Sequence, residues 1–238
     1  MMLLLALDTS GKNGSVALAR VPTGESEIDV LEVVTLAGGA FSAELVPETA
    51  ALLERQGYGR RDLGAFAVVS GPGSFTGLRV GLAAVKALAE ALQKPIVAIS
   101  LLEAIACSGA ARGTVLAVLD AGRGEVYAGD YELDCEQRGQ VLMHSERLLS
   151  REEFIAAVGI VRNGAENTGK TVVTADAALA EIFRTAGIEV RLIEHPNAGV
   201  IARLGWMRLE RGKTVGSEQL DANYIRRSDA EIFSKPAR

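Results

Sequence analysis

With 238 residues, 48% hydrophobic and 23% charged side chains and a mean hydropathy of +0.20, the chain has the make-up of an ordinary globular protein, which excludes a disordered or low-complexity one. A formal charge of −5 argues against a continuous basic groove for nucleic acid, because phosphate neutralisation supplies most non-specific affinity. Apolar runs such as 3–7 and 80–85 fall far short of the ~20 residues that a membrane span needs, so no membrane partner and a cytoplasmic location are expected.

The opening Met1-Met2-Leu3-Leu4-Leu5 has no basic leader and is interrupted by Asp8, so it reads as a buried first strand rather than a signal peptide. Strands are expected over 3–8 and 15–20 around the turn from Thr9 to Gly14, and a third over 28–36. Residues 42–56 have helical spacing at Leu45, Thr49, Leu52 and Leu53, with Ser42 as N-cap and Gly57 as stop; Pro47 allows a later start. A strand over 65–70, the turn Gly71-Pro72-Gly73, a long helix over 74–92 and a strand over 96–99 make a right-handed parallel crossover.

The second half begins as the first does. Val115 to Asp120, a glycine turn and Glu125 to Ala128 echo Leu3 to Asp8, a glycine turn and Ser15 to Leu18. A helix over 150–158 follows, with Ser150 and Glu153 as a capping box. Then come a polar loop over 163–170, a strand over 171–174, a helix over 176–186, a strand over 188–192, and a helix over 196–211 closed by Gly212. A hairpin followed by alternating helices and strands, twice over, points to an internally duplicated α/β chain. The lobes expected are 1–100 and 101–238, meeting near Ser100, with the helix over 196–211 able to pack back on the first.

Cys107 and Cys135 form no Cys-x-x-Cys pair, so neither a disulfide framework nor a thiol-rich zinc site is expected. His144 and His195 are isolated in sequence and read as surface or strand-end residues. Gly71-Pro72-Gly73 before a helix could hold an anion at the helix N-terminus. It lacks the lysine of a P-loop, however, and reads better as a tight turn with close helix approach.

In the long helix, Phe75, Leu78, Leu82, Val85, Ala89 and Leu92 share one side, and Gly77, Val80, Ala84, Ala87, Leu88 and Ala91 share roughly the other. Charges occur only at Arg79, Lys86 and Glu90. A helix at the surface of a monomer normally has one apolar stripe and a broad polar face, whereas this one can be covered on two sides.

Gly71-Pro72-Gly73-Ser74-Phe75-Thr76-Gly77-Leu78-Arg79 closely resembles the corresponding motif of the TsaB family. Leu7-Asp8-Thr9-Ser10, Ser42 with Glu44-Leu45-Val46-Pro47, residues 95–100, Glu125-Val126-Tyr127 and Asn223-Tyr224-Ile225-Arg226 are similar to that family in the same order. Phe41 stands where many members have His, and Gly122-Arg123-Gly124 where two basic residues are common.

The resemblance implies a two-lobed actin/Hsp70/sugar-kinase-like (ASKHA) fold. It also implies a non-catalytic dimerisation subunit that pairs with the catalytic TsaD protein and works with the TsaE ATPase, the complex using ATP and reaching tRNA as a unit. Alone, such a chain would be a homodimer. The pairing surface implied comprises the long helix and its predecessor, and thus Leu45, Thr49, Leu52, Gly77, Val80, Gly81, Ala84, Ala87, Leu88 and Ala91, with the small-residue side outward.

By the same resemblance Asp8, Thr9 and Ser10 occupy the place of a first phosphate loop, a weak nucleotide site, and no cofactor is assigned to the chain itself. The two metal-binding histidines of the catalytic relative fall on Leu101 and Ile105, which cannot coordinate a metal. An independent actin-like ATPase or small-molecule kinase is the alternative, with a metallopeptidase behind it. Arg203, Arg208, Arg211, Lys213, Arg226 and Arg227 read as a solvated basic face, with contact to tRNA or TsaE as the other possibility.

Overall fold

Residues 3–7 are too apolar for either face of their strand to meet water. In a computed structural model of the chain, in which residues 2–21, 27–134, 140–163 and 170–226 are described, they form the centre of a sheet. The first half runs β1 (Met2–Asp8), β2 (Gly14–Val21), β3 (Asp29–Leu36), α1 (Phe41–Arg55), β4 (Leu63–Gly71), α2 (Phe75–Leu92), β5 (Ile96–Ser100) and α3 (Leu101–Gly109). The second runs β6 (Arg112–Gly122), β7 (Glu125–Asp134), β8 (Gln140–Ser150), α4 (Arg151–Asn163), β9 (Thr171–Thr174), α5 (Ala177–Thr185), β10 (Val190–Leu192) and α6 (Ala198–Glu210).

The two halves repeat one topology. The first sheet has the order β3-β2-β1-β4-β5 and the second, read from its antiparallel edge, β8-β7-β6-β9-β10. In each, the first three strands are antiparallel neighbours and the last two join in parallel. Each half ends in a helix that crosses over: α3 packs on β6, β7 and β9, while α6 packs on β1, β2, β4 and β5. The two exchanged helices touch each other. The larger core accordingly continues from the first sheet through α3 and α6 to Tyr131, Leu133 and Val173 of the second. A smaller core lies under α4 and α5, around Val126, Phe154, Leu179 and Phe183.

Helix ends follow local chemistry. The Ser74 hydroxyl accepts from Gly77 N at 3.3 Å, and Asp176 accepts from Leu179 N at 3.0 Å. Ser150 and Glu153 form the reciprocal capping box, at 2.8 and 3.1 Å. Helix α1 closes in a left-handed turn at Gly57 (φ 75°), with Tyr58 N donating to Leu53 O at 2.9 Å.

Some elements differ from expectation. Ser42 does not cap α1; the helix starts at Phe41, with Ala40 at the cap position and no capping side chain. Phe41 is buried against Gly14 and Gly77, so packing holds the first turn in place of a cap. Pro47 stays inside the helix. Strand β8 was not foreseen, and α4 runs on to Asn163, where a loop was expected. The rest of that loop (164–169), Cys135 and Arg227 lie outside the described residues. No helix of the described residues is long and apolar enough to cross a membrane.

Candidate functional site

Strand β1 delivers Asp8 to the lobe junction, and the turn from Ser10 to Asn13 forms one wall of a cleft of about 1000 Å³ between the lobes. The start of α2 (Ser74, Thr76, Gly77) continues that wall, and Asp120, Ala121, Tyr127 and Asp176 of the second half face it. His195, in the loop before α6, stands at the mouth beside Gly11. Sequence reasoning treated this histidine as isolated and did not bring Asp120 or Asp176 to the site. The repeated Leu-Asp pair at 7–8 and 119–120 was the signal available for one of them.

The cleft carboxylates already have protein partners. Ser10 donates to Asp8 Oδ1 twice, from its backbone N at 2.8 Å and its hydroxyl at 2.6 Å. Asp120 pairs with Arg151 at 2.9 Å, and Asp176 caps α5. Burial raises the Asp8 pKa above the ordinary carboxylate value, opposed by the Ser10 hydrogen bonds and the nearby His195.

Thr9 and Ser10 are equally committed: Thr9 Oγ1 donates to Gly77 O at 2.8 Å, and Ser10 O accepts from Ser74 N at 2.8 Å. The turn at 9–13 is thereby tied to α2 rather than left open. Among the described residues, no group of three or more His, Cys, Asp or Glu side chains is placed to hold a metal ion. Leu101 and Ile105 on α3 are fully buried in the core.

Behind the cleft, charged and polar groups join the lobes. Glu146 of β8 accepts from Ser100 Oγ, from Tyr131 OH and, at 2.6 Å, from Asn223 Nδ2. Glu103 of α3 pairs with Arg208 of α6, which also donates to Ala98 O. Burial raises the Glu103 pKa despite that arginine, and burial together with Glu146 raises that of Tyr131. Arg208 and Arg226 therefore do not belong to a solvated basic face. Arg226 donates to Ala121 O at 2.9 Å and pairs with Glu125. Arg203, Arg211 and Lys213 are exposed.

The residues expected at a pairing surface divide into two sets. Leu45, Thr49 and Leu52 point into the protein, at 2%, 8% and 0% exposure. Gly77 and Gly81 are also inside, pressed against Thr9: a side chain at Gly77 would collide with the Thr9 carbonyl, and one at Gly81 with the Thr9 hydroxyl. These five are packing residues of the chain itself.

Of the others, Ala87 and Ala91 are exposed and Val80, Ala84 and Leu88 half-buried. Ala83, which helical spacing did not single out, is exposed with them. On α1 the open side carries Ala43, Val46, Pro47 and Ala50, Val46 being 66% exposed. The outer helix pair of the first lobe thus presents a contiguous stretch of small, uncharged side chains.

Comparison with known proteins bears on this geometry. A solved structure titled YeaZ from Pseudomonas aeruginosa superposes with a TM-score of 0.72 and 28% identity, over 94% of this chain and all of that one. A protein of Escherichia coli named tRNA threonylcarbamoyladenosine biosynthesis protein TsaB is 29% identical over 96% of both chains. Its namesake in Bacillus subtilis is 36% identical over 55% of this chain, an alignment that spans only 56% of the relative's length. A protein-family model described as TsaD: tRNA N6-adenosine threonylcarbamoyltransferase matches residues 35–232. The chain belongs to the TsaB branch of that family. The duplicated five-stranded sheets with exchanged helices are its two-lobed actin-like fold. Within this TsaB-family chain, the motif from Gly71 to Arg79 builds the β4–α2 turn, the inner packing of α2 and one wall of the cleft.

Proposed function

We propose that this chain is the non-catalytic dimerisation subunit of the machinery that places threonylcarbamoyl on the adenosine beside the tRNA anticodon. It pairs with a TsaD-type catalytic subunit through the outer faces of α1 and α2, and forms a homodimer when alone. The observation that carries this reading is the uncharged outer face of that helix pair, from Ala43, Val46 and Ala50 to Ala83, Ala87 and Ala91. Small side chains allow the close backbone approach that helix-on-helix association requires, and burying them leaves no charge unpaired.

The accessory role rests on what occupies the places of chemistry. Asp8 is buried and bound by Ser10, and the turn beside it is tied to α2. Two aliphatic core residues, Leu101 and Ile105, stand where the resemblance puts metal ligands. ATP is consumed by the complex, with a TsaE-type ATPase as a further partner, and tRNA is engaged by the assembly as a whole.

Reconstitution tests this. Threonylcarbamoyl transfer to tRNA is measured with the TsaD-type subunit of the same cell, with this chain, and with both. Product is expected only with the catalytic subunit present, and most with both together. Transfer, or ATP hydrolysis above background, by this chain alone would contradict the accessory role.

A further inference from the structure

Two sequence motifs far apart in the chain meet beside the outer face of α2. Asn223 is fastened on both sides: its backbone N donates to Ser70 O at 2.7 Å and its Nδ2 to Glu146 at 2.6 Å. Gly71, at φ 132°, gives the Asn223 carbonyl room that a side chain would fill. Three residues on, Arg226 is held by Glu125 and the Ala121 carbonyl. Tyr224 lies between these anchors and is fixed by them. Its ring centroid is 5.2 Å from that of Phe75, and its hydroxyl accepts from Arg79 Nε at 3.2 Å.

Arg79 completes the cluster. Its Cζ lies 3.7 Å from the centroid of the Phe75 ring, so the guanidinium is stacked on one face and oriented through Nε. Among the described residues, Nη1 and Nη2 have no hydrogen-bond partner, and the side chain is exposed, as is Phe75 at 40%. An arginine stacked and anchored in this way has given up rotamer freedom before any ligand arrives, and it still offers the two-pronged donor geometry that matches a planar acid.

We propose that Arg79, positioned by Phe75 and Tyr224, is a preorganised carboxylate-binding site that takes an Asp or Glu side chain of the protein docked on α1 and α2. The proposal rests on the docking reading above. The position supports it: Arg79 is one helical turn from Ala83 and Thr76, both exposed on the same side of α2, so the fork stands at the rim of the uncharged face. Charge supports a single carboxylate over a nucleic-acid backbone. The only other cation on α2 is Lys86, Glu90 follows it, and the chain carries −5 overall, whereas a phosphate backbone calls for an array of cations.

The test is the dissociation constant for the TsaD-type partner, measured at low and physiological salt for the wild type, Arg79→Lys, Tyr224→Phe and Ala87→Glu. Unchanged thermal midpoints verify folding. Arg79→Lys keeps the charge but loses the fork and the stack. It is expected to weaken binding about tenfold. Tyr224→Phe is expected to weaken it about threefold. Both variants keep the positive charge at position 79, so their salt dependence should stay close to that of the wild type.

If Arg79→Lys and Tyr224→Phe bind within about twofold of wild type while Ala87→Glu fails to bind, the carboxylate site is wrong and the docking face stands. Pairing that survives Ala87→Glu removes the docking face, and with it the occupant assigned to Arg79. Loss of tRNA binding by the assembled complex in Arg79→Lys, with protein pairing intact, would show that the fork holds phosphate and overturn the proposal.

Discussion

Helices α1 and α2 cover the outer side of the first sheet, and α4 and α5 hold the equivalent places on the second. The two pairs differ in where charge falls on their open sides. The open side of α4 and α5 carries Glu152, Glu153, Glu181 and Arg184 interspersed with Ala156, Ala157, Ala177, Ala178 and Ile182. The open side of α1 and α2 is mainly Ala, Val and Pro, with charge confined to its margins. The same frame occurs twice, and the proposed pairing uses the copy whose charge lies at the margins. The proposed pairing rests on that contrast more than on the cleft the copies share.

The contrast can be broken from either side, beginning with the largest effect. Phe183 is fully buried and its ring lies 4.9 Å from that of Phe154 beneath α4 and α5. Phe183→Ala is expected to cost about 3–5 kcal/mol in denaturant unfolding, because the second pair is held by this small core. In the first pair, Gly77→Ala drives a methyl group into the Thr9 carbonyl. A loss of about 1–3 kcal/mol is expected, with weakened pairing only as a consequence of instability.

Removing a helix cap should cost about 1 kcal/mol in either lobe. Ser74→Ala and Asp176→Ala test this as a matched pair by thermal unfolding, since each side chain caps the corresponding helix of its own half.

A smaller effect is expected in the cleft and depends on pH. The Asp8 pKa is raised in the fold by burial, so the folded state holds a proton that the unfolded state has released. The carboxylate therefore lowers stability as pH rises from about 4, its ordinary value, through the raised one. Asp8→Asn has no such ionisation. Its unfolding midpoint relative to wild type should rise between pH 4 and pH 7, and a constant difference would mean that the carboxylate is not penalised by burial.

Much of the fold was legible because period and punctuation agreed. The strand over 3–8, the Ser74 cap and the capping box at Ser150 each join a local rule to a hydrophobic pattern. Strand β8 was not legible. It is an edge strand whose adjacent Leu142 and Met143 are both exposed, and its pairing with β7 is interrupted by a bulge near Asp130, so alternation fails along it.

Helical spacing told which α2 residues share a side but not which side meets the chain's own sheet. For that reason Gly77 and Gly81, together with Leu45, Thr49 and Leu52, were expected at a surface they do not reach. The clustering of Phe75, Arg79 and Tyr224 depends on residues 145 positions apart. No periodicity carries that information.

The most direct test of the account compares one charge placed on each outer pair. The native mass of Ala87→Glu and of Ile182→Glu is measured by light scattering, alone and with the TsaD-type subunit, beside the wild type. Ala87 is exposed, so Ala87→Glu should alter stability by no more than about 0.5 kcal/mol, while Ile182, at 38% exposure, is partly covered and Ile182→Glu should cost about 1 kcal/mol. The wild type and Ile182→Glu are expected to form a homodimer that gives way to the mixed pair, while Ala87→Glu stays a single chain in both conditions. Pairing by Ala87→Glu equal to the wild type, or its loss in Ile182→Glu instead, would contradict the account.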